Sequence, residues 1–283
     1  MIEKEALIVG INSFLGRAIY ELIKEQYSIT GVYHSNTENI PADIEIIQVD
    51  DIKKLKNRSF KHIYLISSSV PDGVEDDQKL FLANIILPHT ISTLFPESRI
   101  LFCSSVSVYE NLAANTIISN ADMPSPRSKY ALSKLWGERT IENHASFAII
   151  RISSMYGVGM KTTTFVPKII ENVIETKKIN LLGEGRRMQN YIHVEDVARI
   201  AVGLAQTSEN IMLLAVANQS YSNKEIAEMI LNITPGQLSF AGKDDSKSHI
   251  YDNTDTHTIL KDINFKDIKA GLEELVAWIK KKC

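Results

Sequence analysis

Short apolar runs alternate with longer segments of helical spacing along the first half of the chain. Six runs predict buried strands at residues 6–9, 29–33, 44–49, 62–67, 99–104 and 147–151. Apolar positions three and four residues apart predict helices at residues 14–26, 78–94 and 127–144. Continuous apolar strands separated by helices are typical of a parallel sheet covered on both faces. The pattern therefore predicts an α/β fold with a doubly wound parallel sheet, as in Rossmann nucleotide-binding domains.

The pattern is less regular after Gly157. It predicts helices at residues 166–176, 194–206, 223–231 and 270–282, a short strand at 179–182 and a turn at 183–185. The polar stretch of residues 241–256 predicts a long loop.

Composition and charge narrow the function. The 283 residues are 44% hydrophobic and 23% charged, with a net charge of −3 and scattered basic residues, which argues against nucleic acid as a partner. Cys103 and Cys283 provide neither a disulfide framework nor the ligand spacing of a metal site. The N-terminus has no signal-peptide pattern, and no apolar run approaches the ~18 residues of a membrane span, so a cytoplasmic protein without a membrane partner is expected.

A glycine turn follows the first predicted strand and opens the first helix. Its residues are Gly10, Ile11, Asn12, Ser13, Phe14, Leu15 and Gly16. Dinucleotide-binding turns place small residues where the backbone meets the pyrophosphate, which then lies on the helix N-terminus. Ser13 stands where the pattern usually has its middle glycine, and it is small enough for the same role. An ordinary strand–helix turn is the alternative.

The end of the second strand usually selects between NAD and NADP, because an acidic residue there binds the ribose 2′-hydroxyl of NAD. This chain has Tyr33, His34, Ser35 and Asn36 instead. None of them repels a 2′-phosphate, and three can donate hydrogen bonds to one. NADP is therefore favoured, NAD remains possible, and a solvated loop is the alternative interpretation of each residue.

Tyr130 and Lys134 lie four residues apart in a predicted helix, which places the phenol and the ammonium on one face. A phenol has a pKa of about 10, and a neighbouring cation lowers it toward the range of acid–base catalysis. Ser105 ends the fifth predicted strand and can hold a substrate oxygen against that phenol. The spacing alone is weak, since a surface tyrosine beside a solvated lysine produces the same pattern.

Taken together, these motifs resemble the extended short-chain dehydrogenase/reductases, within them the NAD(P)-dependent sugar-nucleotide epimerase, dehydratase and reductase group. The resemblance covers residues 5 to 280. Its segments are residues 103–109, 122–138, 151–157, 183–185 and 191–198, besides the glycine turn. By position it implies that Ser105, Tyr130 and Lys134 are catalytic, and that Asp51, Ile52, Ser67 and Ser68 join the glycine turn, residues 33–36, Tyr130 and Lys134 at the cofactor. Asn84 falls where the family has a helix asparagine near the site.

The resemblance also implies two domains. The Rossmann domain would comprise residues 1–157 and 188–219, and a smaller, discontinuous α/β substrate-binding domain residues 158–187 and 220–283. Substrate contacts are expected from Ser105, Ser107 and Gln189. Gln189 stands where many members have an arginine for the substrate diphosphate, and Arg186 or Arg187 is expected to supply that charge. Val106 and Ser107 replace the acidic pair of dehydratases, which argues against dehydration.

The implied function is hydride transfer at a sugar carbon, most simply a 4-keto reduction of a nucleotide-linked sugar. In this interpretation Lys134 holds the cofactor ribose and lowers the pKa of Tyr130, which exchanges the hydroxyl proton. An epimerase with tightly bound NAD, a non-catalytic NADP-binding regulatory protein and an enzyme of a non-sugar carbonyl are the alternatives. A homodimer is expected, because helices 78–94 and 127–144 carry broader apolar sets than one buried stripe requires.

Overall fold

The computed structural model describes residues 4–70, 76–261 and 263–282, so that Cys283 lies outside the described residues. Its strands are β1 (Glu5–Val9), β2 (Ser28–Tyr33), β3 (Glu45–Gln48), β4 (His62–Leu65), β5 (Arg99–Ser105), β6 (Ile117–Ile118), β7 (Phe147–Ile152), β8 (Ser154–Tyr156), β9 (Lys178–Leu182), β10 (Met188–His193), β11 (Ile211–Ala215), β12 (Ser220–Ser222), β13 (Gln237–Ala241) and β14 (Ile250–Tyr251). Its helices are α1 (Phe14–Ile23), α2 (Asp77–Phe81), α3 (Leu87–Leu94), α4 (Lys129–Glu142), α5 (Phe165–Thr176), α6 (Val194–Ala205), α7 (Asn223–Ile233), α8 (Thr254–Ile259) and α9 (Ile268–Lys280).

Seven parallel strands form the central sheet in the order β11-β7-β5-β4-β1-β2-β3. The chain leaves β1 toward β2 and β3, then returns to the other side of β1 through β4. Ligands of open α/β sheets bind at the carboxyl ends of the strands where the order reverses in this way. The expected nucleotide site therefore lies between the ends of β1 and β4.

Both faces of the sheet are buried, as the continuous apolar strands predict. Alternate residues of β1 point to opposite faces: Ala6 and Ile8 pack with α1 and α6, whereas Leu7 and Val9 pack with α3 and α4. Helices therefore cover both faces, and the predicted doubly wound α/β fold is confirmed.

A separate hydrophobic cluster forms beside the carboxyl edge of the central sheet. Helices α5, α7 and α9 contribute Ile170, Ile226 and Leu272 to it, and Tyr156 of β8 and Tyr191 of β10 pack against them. Strand β10 pairs in parallel with β8 and antiparallel with β12, so a small mixed sheet supports this cluster. The predicted domain boundaries remain a prediction.

Several parts of the chain differ from the sequence prediction. Residues 211–215 form the seventh strand of the central sheet, where the sequence predicts no element; Ile211 pairs with Ala148 of β7. Short apolar runs are ambiguous between strand and helix, which explains the omission. The predicted loop of residues 241–256 was wrong in part, because Ile250 pairs with Ile117 to form β14 and helix α8 begins at Thr254.

The helix expected at residues 78–94 is interrupted by a π-helical turn, Leu82–Ile86, between α2 and α3. Asn84 lies in this turn and is fully buried. Such turns insert an extra residue and often occur at functional sites. Among the described residues, no helix has the length and apolar character needed to cross a membrane.

Two helix glycines provide a test of this packing. A Cβ at Gly137 of α4 would lie 2.7 Å from the backbone oxygen of Asn84, whereas a Cβ at Gly203 of α6 would meet a Leu260 methyl at 2.8 Å. The backbone at Asn84 cannot move to make room for a new methyl group, whereas the Leu260 side chain can change its rotamer. We therefore expect Gly137→Ala to lower the free energy of unfolding by about 1–3 kcal/mol. In Gly203→Ala, the intrinsic helix gain of about 1 kcal/mol should offset the contact. Urea unfolding of both variants measures the difference, and equal stabilities would contradict the packing.

Candidate active site

The glycine turn lies at the carboxyl end of β1, beside the end of β4. Gly10 has a positive φ of 101°, and a Cβ there would lie 3.0 Å from the backbone nitrogen of Ser67. A Cβ at Gly16 would lie 2.2 Å from the Gly10 carbonyl oxygen. Gly10 therefore requires glycine because of its positive φ and the close backbone of Ser67. Gly16 requires glycine because a side chain there would clash with the Gly10 carbonyl at the start of α1.

Ser13 is the N-cap of α1, and its Oγ accepts a hydrogen bond of 3.0 Å from the Gly16 backbone N–H. This cap leaves the hydroxyl hydrogen of Ser13 available. The first N–H groups of a helix, here those of Phe14 and Leu15, have no intrahelical acceptor and form a site for an anion. The turn thus fits the pyrophosphate of a dinucleotide. Leu15 is buried and Phe14 packs into the core, so both offer backbone groups only.

The loop after β2 is exposed from His34 to Asn36. Two hydrogen bonds to its carbonyl oxygens hold it, one of 2.7 Å from Asn12 Nδ2 to Asn36 and one of 3.0 Å from Gln48 to His34. Asn36 Nδ2 lies 3.5 Å from a carboxylate oxygen of Glu38. The sequence pattern of residues 33–36 contains no acidic residue. The structure therefore adds Glu38, two residues further on, as an acidic group near this loop.

The expected adenine contacts lie beyond β3. Asp51 is partly exposed and forms an ion pair with Lys54 of 2.8 Å, and Ile52 is buried. Both lie in a 3-10 segment, Val49–Leu55, directly after β3.

Helix α4 carries the candidate catalytic pair. Its N-cap Ser128 accepts a hydrogen bond of 3.2 Å from the Ala131 N–H. Lys134, one turn after Tyr130, is 1% exposed. Its ammonium donates to the Cys103 carbonyl oxygen at 2.5 Å and to Ser68 Oγ at 3.4 Å, and it lies 4.6 Å from the centre of the Phe102 ring. Burial lowers the pKa of Lys134 to about 8.

Hydrogen bonding with Ser105 and Ser68 lowers the pKa of the Tyr130 phenol. Burial has the larger effect, so the pKa of Tyr130 is raised overall. The expectation that Lys134 lowers this pKa is therefore wrong for this structure. The physical reason is that burial of the phenol outweighs the hydrogen bonding to it, while the ammonium of Lys134 is directed to the Cys103 carbonyl.

Asn84 connects the cofactor side of the site to α4. Its Oδ1 accepts from Ser68 Oγ at 3.1 Å and from the Ser69 N–H at 3.0 Å, and its Nδ2 donates to Ser133 Oγ at 2.9 Å. Ser67 is also fixed, since its N–H donates to the Val9 carbonyl at 2.8 Å. The structure therefore brings the serines after β4, the glycine turn and the Tyr130 helix together.

The segment after β5 is anchored to the start of α4. Ser105 Oγ accepts from the Ser107 N–H at 3.2 Å, and the Glu110 carboxylate accepts from the backbone N–H groups of Arg127, at 2.6 Å, and of Ser128. Sequence reasoning missed Glu110. An acidic residue shortly before a helix N-terminus was the available signal, although 17 residues separate it from Arg127.

A cavity of about 310 Å³ lies beside Ser105. Its lining includes Ser105, Ser107, Arg187, Gln189, Lys247 and His249. Ser107 Oγ and Arg187 Nε are buried without a hydrogen-bond partner among the described residues, so both can serve a ligand.

The two candidate arginines differ. Arg186 is 82% exposed and pairs with Glu184, so it does not join the cavity, whereas Arg187 lines it. Gln189 lines the cavity too, although its Nε2 donates to Tyr191 Oη and Asn223 Oδ1, each at 2.9 Å. Of the two candidates the structure favours Arg187.

Sequence reasoning missed Lys247 and His249, because both fall in the stretch expected to be a loop. Lys247 donates at 3.0 Å to the carbonyl oxygens of Asn111 and Leu112, which places its segment across the cavity. Burial, assisted by the charges of Lys247 and Arg187, lowers the pKa of His249 and favours its neutral form. The only signal in the sequence for these two residues was a pair of basic side chains within a polar stretch.

The model of the NAD dependent epimerase/dehydratase family matches residues 6–215, and the chain belongs to this family. The family expected from the motifs is thereby confirmed. Its members include NAD-dependent epimerases, dehydratases and reductases of sugar nucleotides.

Curated relatives and solved structures extend the comparison. GDP-6-deoxy-D-talose 4-dehydrogenase of Aggregatibacter actinomycetemcomitans is 22% identical over 95% of this chain and 96% of its own length. Methionine adenosyltransferase 2 subunit beta of Xenopus laevis is 25% identical over 72% of this chain and 62% of its own length. The structure of UDP-glucuronic acid 4-epimerase from Bacillus cereus, in complex with UDP-glucuronic acid and NAD, superposes with a TM-score of 0.86 at 19% identity, covering 99% of this chain and 100% of that one.

Proposed function

We propose that the protein is an NAD(P)-dependent oxidoreductase that reduces a keto group, most simply at C4, of a nucleotide-linked sugar. The observation that carries the proposal is that Ser105, whose hydroxyl lowers the pKa of the Tyr130 phenol, lines the 310 Å³ cavity. A carbonyl oxygen bound beside Ser105 would meet two hydroxyl donors. The 4-dehydrogenase relative supports chemistry at this sugar carbon.

The roles of the residues follow from their surroundings. Tyr130 donates its proton to the carbonyl oxygen as the alkoxide develops, and its raised pKa keeps the phenol in the protonated form that this step needs. Ser105 orients the same oxygen. Lys134, fixed by the Cys103 carbonyl, is placed to bind the cofactor ribose. When bound, the nicotinamide cofactor would supply the hydride, and the glycine turn with the first N–H groups of α1 would hold its pyrophosphate.

The cavity favours a substrate with a phosphorylated group. Two cationic side chains line the cavity: Lys247, and Arg187, whose buried Nε lacks a partner among the described residues. A guanidinium suits a pair of phosphate oxygens. Arg187 would thus supply the positive charge that many family members have from an arginine at the position of Gln189. The names of relatives carry GDP- and UDP-linked sugars, which supports a nucleoside diphosphate sugar as the substrate class.

The choice of cofactor stays part of the proposal. Tyr33, His34, Ser35 and Asn36 favour NADP, since none of them is acidic. The nearby Glu38 weakens this preference, and the Bacillus cereus neighbour was solved with NAD.

Two alternatives have support of their own. An epimerase with tightly bound NAD is consistent with the fold of the 4-epimerase neighbour. A non-catalytic regulatory subunit is consistent with the relative that is a subunit of methionine adenosyltransferase. Mass spectrometry of the purified protein separates them: retained NAD favours an epimerase, an empty site favours a reductase, and NADPH binding without oxidation by any sugar-nucleotide ketone favours a regulatory subunit.

Tyr130→Phe tests the acid–base role. The phenyl ring fills the same space, so the fold and NADPH binding should persist, whereas turnover should fall by ~10²-fold or more because the proton donor is lost. Stopped-flow oxidation of NADPH with a sugar-nucleotide ketone measures this. Tyr20→Phe, which removes a phenol of α1 that donates to Asp43 at 2.9 Å, is the matched control. Turnover of Tyr130→Phe within a few-fold of the original would remove Tyr130 from the mechanism.

Tyr33→Asp tests the cofactor choice. The original protein should bind NADPH more tightly than NADH, and the variant should reverse this order, because a carboxylate repels the 2′-phosphate and accepts the 2′-hydroxyl. Calorimetry with both dinucleotides gives the ratio. Tighter binding of NADH by the unaltered protein would overturn the assignment to NADP.

Exposed apolar side chains support the expected homodimer. Phe81, Leu82 and Ile86 on the α2–π segment and Leu132 and Trp136 on α4 are between 37% and 63% exposed. The two helical segments pack against each other, so these side chains lie on neighbouring surfaces that two subunits can share.

Light scattering tests the dimer. We expect a mass of about twice 31.8 kDa for the original protein and a monomer for Trp136→Glu, since a charge in an apolar interface is costly. Phe240→Lys, which alters an exposed apolar residue of β13, is the control and should stay dimeric. A mass of 31.8 kDa at all concentrations of the original protein would refute the dimer.

A further inference from the structure

A buried ion pair lies behind the candidate catalytic residues. Glu138 of α4 is 0% exposed and Arg151 of β7 is 3% exposed. Two parallel hydrogen bonds join them, from Arg151 Nη2 to Glu138 Oε2 at 2.7 Å and from Arg151 Nε to Oε1 at 2.9 Å. This fork-to-fork geometry fixes both the distance and the angle between the two side chains.

The pair connects both halves of the site. Glu138 follows Tyr130 and Lys134 by two turns and one turn of α4, so all three lie on one side of the helix. Ser104, which directly precedes Ser105, donates to Glu138 Oε1 at 2.5 Å. Arg151 Nη1 donates to the Tyr109 hydroxyl, and the guanidinium lies 4.9 Å from the centre of that ring.

These contacts constrain the position of Ser105 from both sides. Ser104 precedes it on β5, and Tyr109 ends the short 3-10 segment that follows it, Val106–Tyr109. Glu138 and Tyr130 both belong to α4. The ion pair therefore links the position of the end of β5 to that of the Tyr130 phenol. Neither Glu138 nor Arg151 is among the residues that line the cavity.

Stability alone is a poor explanation for such a pair. Two charges lose their hydration on burial, and apolar side chains of similar volume often stabilise a fold equally well or better. The pair is directional: the bidentate contact sets one relative orientation of α4 and β7, and the hydrogen bond from Ser104 to Glu138 ties β5 to it, whereas packed methyl groups permit several orientations.

We propose that Glu138 and Arg151 are positioning residues that hold the Ser105 hydroxyl against the Tyr130 phenol. The proposal rests on the proposed function for its effect on turnover. The interaction between Ser105 and the Tyr130 phenol does not depend on whether the reaction is a sugar-nucleotide reduction, so it can be measured separately.

The test replaces the whole pair. In the double variant Glu138→Met/Arg151→Met, no unpaired charge is left, and the apolar side chains keep the volume of the core, so the unfolding midpoint should stay close to the original. Glu142→Gln is the matched control. It lies one turn further along α4, where Glu142 pairs with the exposed Arg139 at 2.6 Å. Two readouts follow: steady-state kinetics, and titration of the Tyr130 phenol by NMR of ¹³Cζ-labelled tyrosine, with Tyr130→Phe to assign the signal.

A misplacement of about 1 Å can cost up to ~10²-fold in rate, so we expect kcat of the double variant to fall at least ~10-fold with KM within a few-fold. The pKa of Tyr130 should rise above that of the original, because the loosened Ser105 hydrogen bond no longer lowers it. Glu142→Gln should change neither.

A folded double variant with unchanged kcat and an unchanged Tyr130 titration would overturn the proposal. If the double variant does not fold, Tyr109→Phe decides, since it removes only the hydroxyl that Arg151 contacts: an unchanged phenol titration and kcat in that variant would overturn the proposal. If the original protein shows no turnover, the proposed function fails, and the Tyr130 titration still decides whether the pair positions Ser105.

Discussion

The close packing of α4 against the end of β5 determines where the groups of the candidate site lie. Gly137 allows α4 to approach the Phe102 ring and the π turn, and the buried ammonium of Lys134 reaches back to the Cys103 carbonyl. Because that carbonyl belongs to the strand that ends in Ser105, one helix–strand contact sets the spacing of the serine, the tyrosine and the lysine. If α4 packed less closely against β5, the same serine, tyrosine and lysine would no longer lie next to one another.

Burial also sets the charge state of the site. It raises the pKa of Tyr130 and lowers that of Lys134 to about 8, so both groups move toward their neutral forms. A neutral phenol is the form that can donate a proton to a carbonyl, whereas alcohol oxidation begins with proton removal. Both pKa directions are therefore consistent with the proposed reduction, in which the phenol donates its proton.

Much of this arrangement could be predicted from the sequence, because local patterns carry it. Strands β1 to β5 and β7 are apolar runs, and the glycine turn, Ser105 and the Tyr130–Lys134 pair have fixed spacing. The apolar run of β11 was equally clear, but nothing near it distinguished strand from helix. The π turn could not be predicted, since the buried contacts of Asn84 with Ser68, Ser69 and Ser133 accompany it and join distant segments.

The rest of the site depends on long-range contacts. Four-residue spacing brings Tyr130 and Lys134 together, but the direction of the ammonium depends on a strand 31 residues earlier. Likewise, no local pattern distinguishes Arg187 from Arg186, although one lines the cavity and the other pairs with Glu184 in solvent. Lys247 and His249 reach the cavity only because β14 pairs with β6.

That last pairing has a consequence for the order in which the protein matures. The contacts of Lys247 with Asn111 and Leu112 span 136 and 135 residues of chain. A ribosome releases the tyrosine helix long before residues 247–251, and contacts so distant in sequence close slowly. The candidate catalytic cluster can therefore form while part of its cavity is still missing. At that stage the Ser105 and Tyr130 hydroxyls of the nascent chain would be exposed to water, before the cavity is complete.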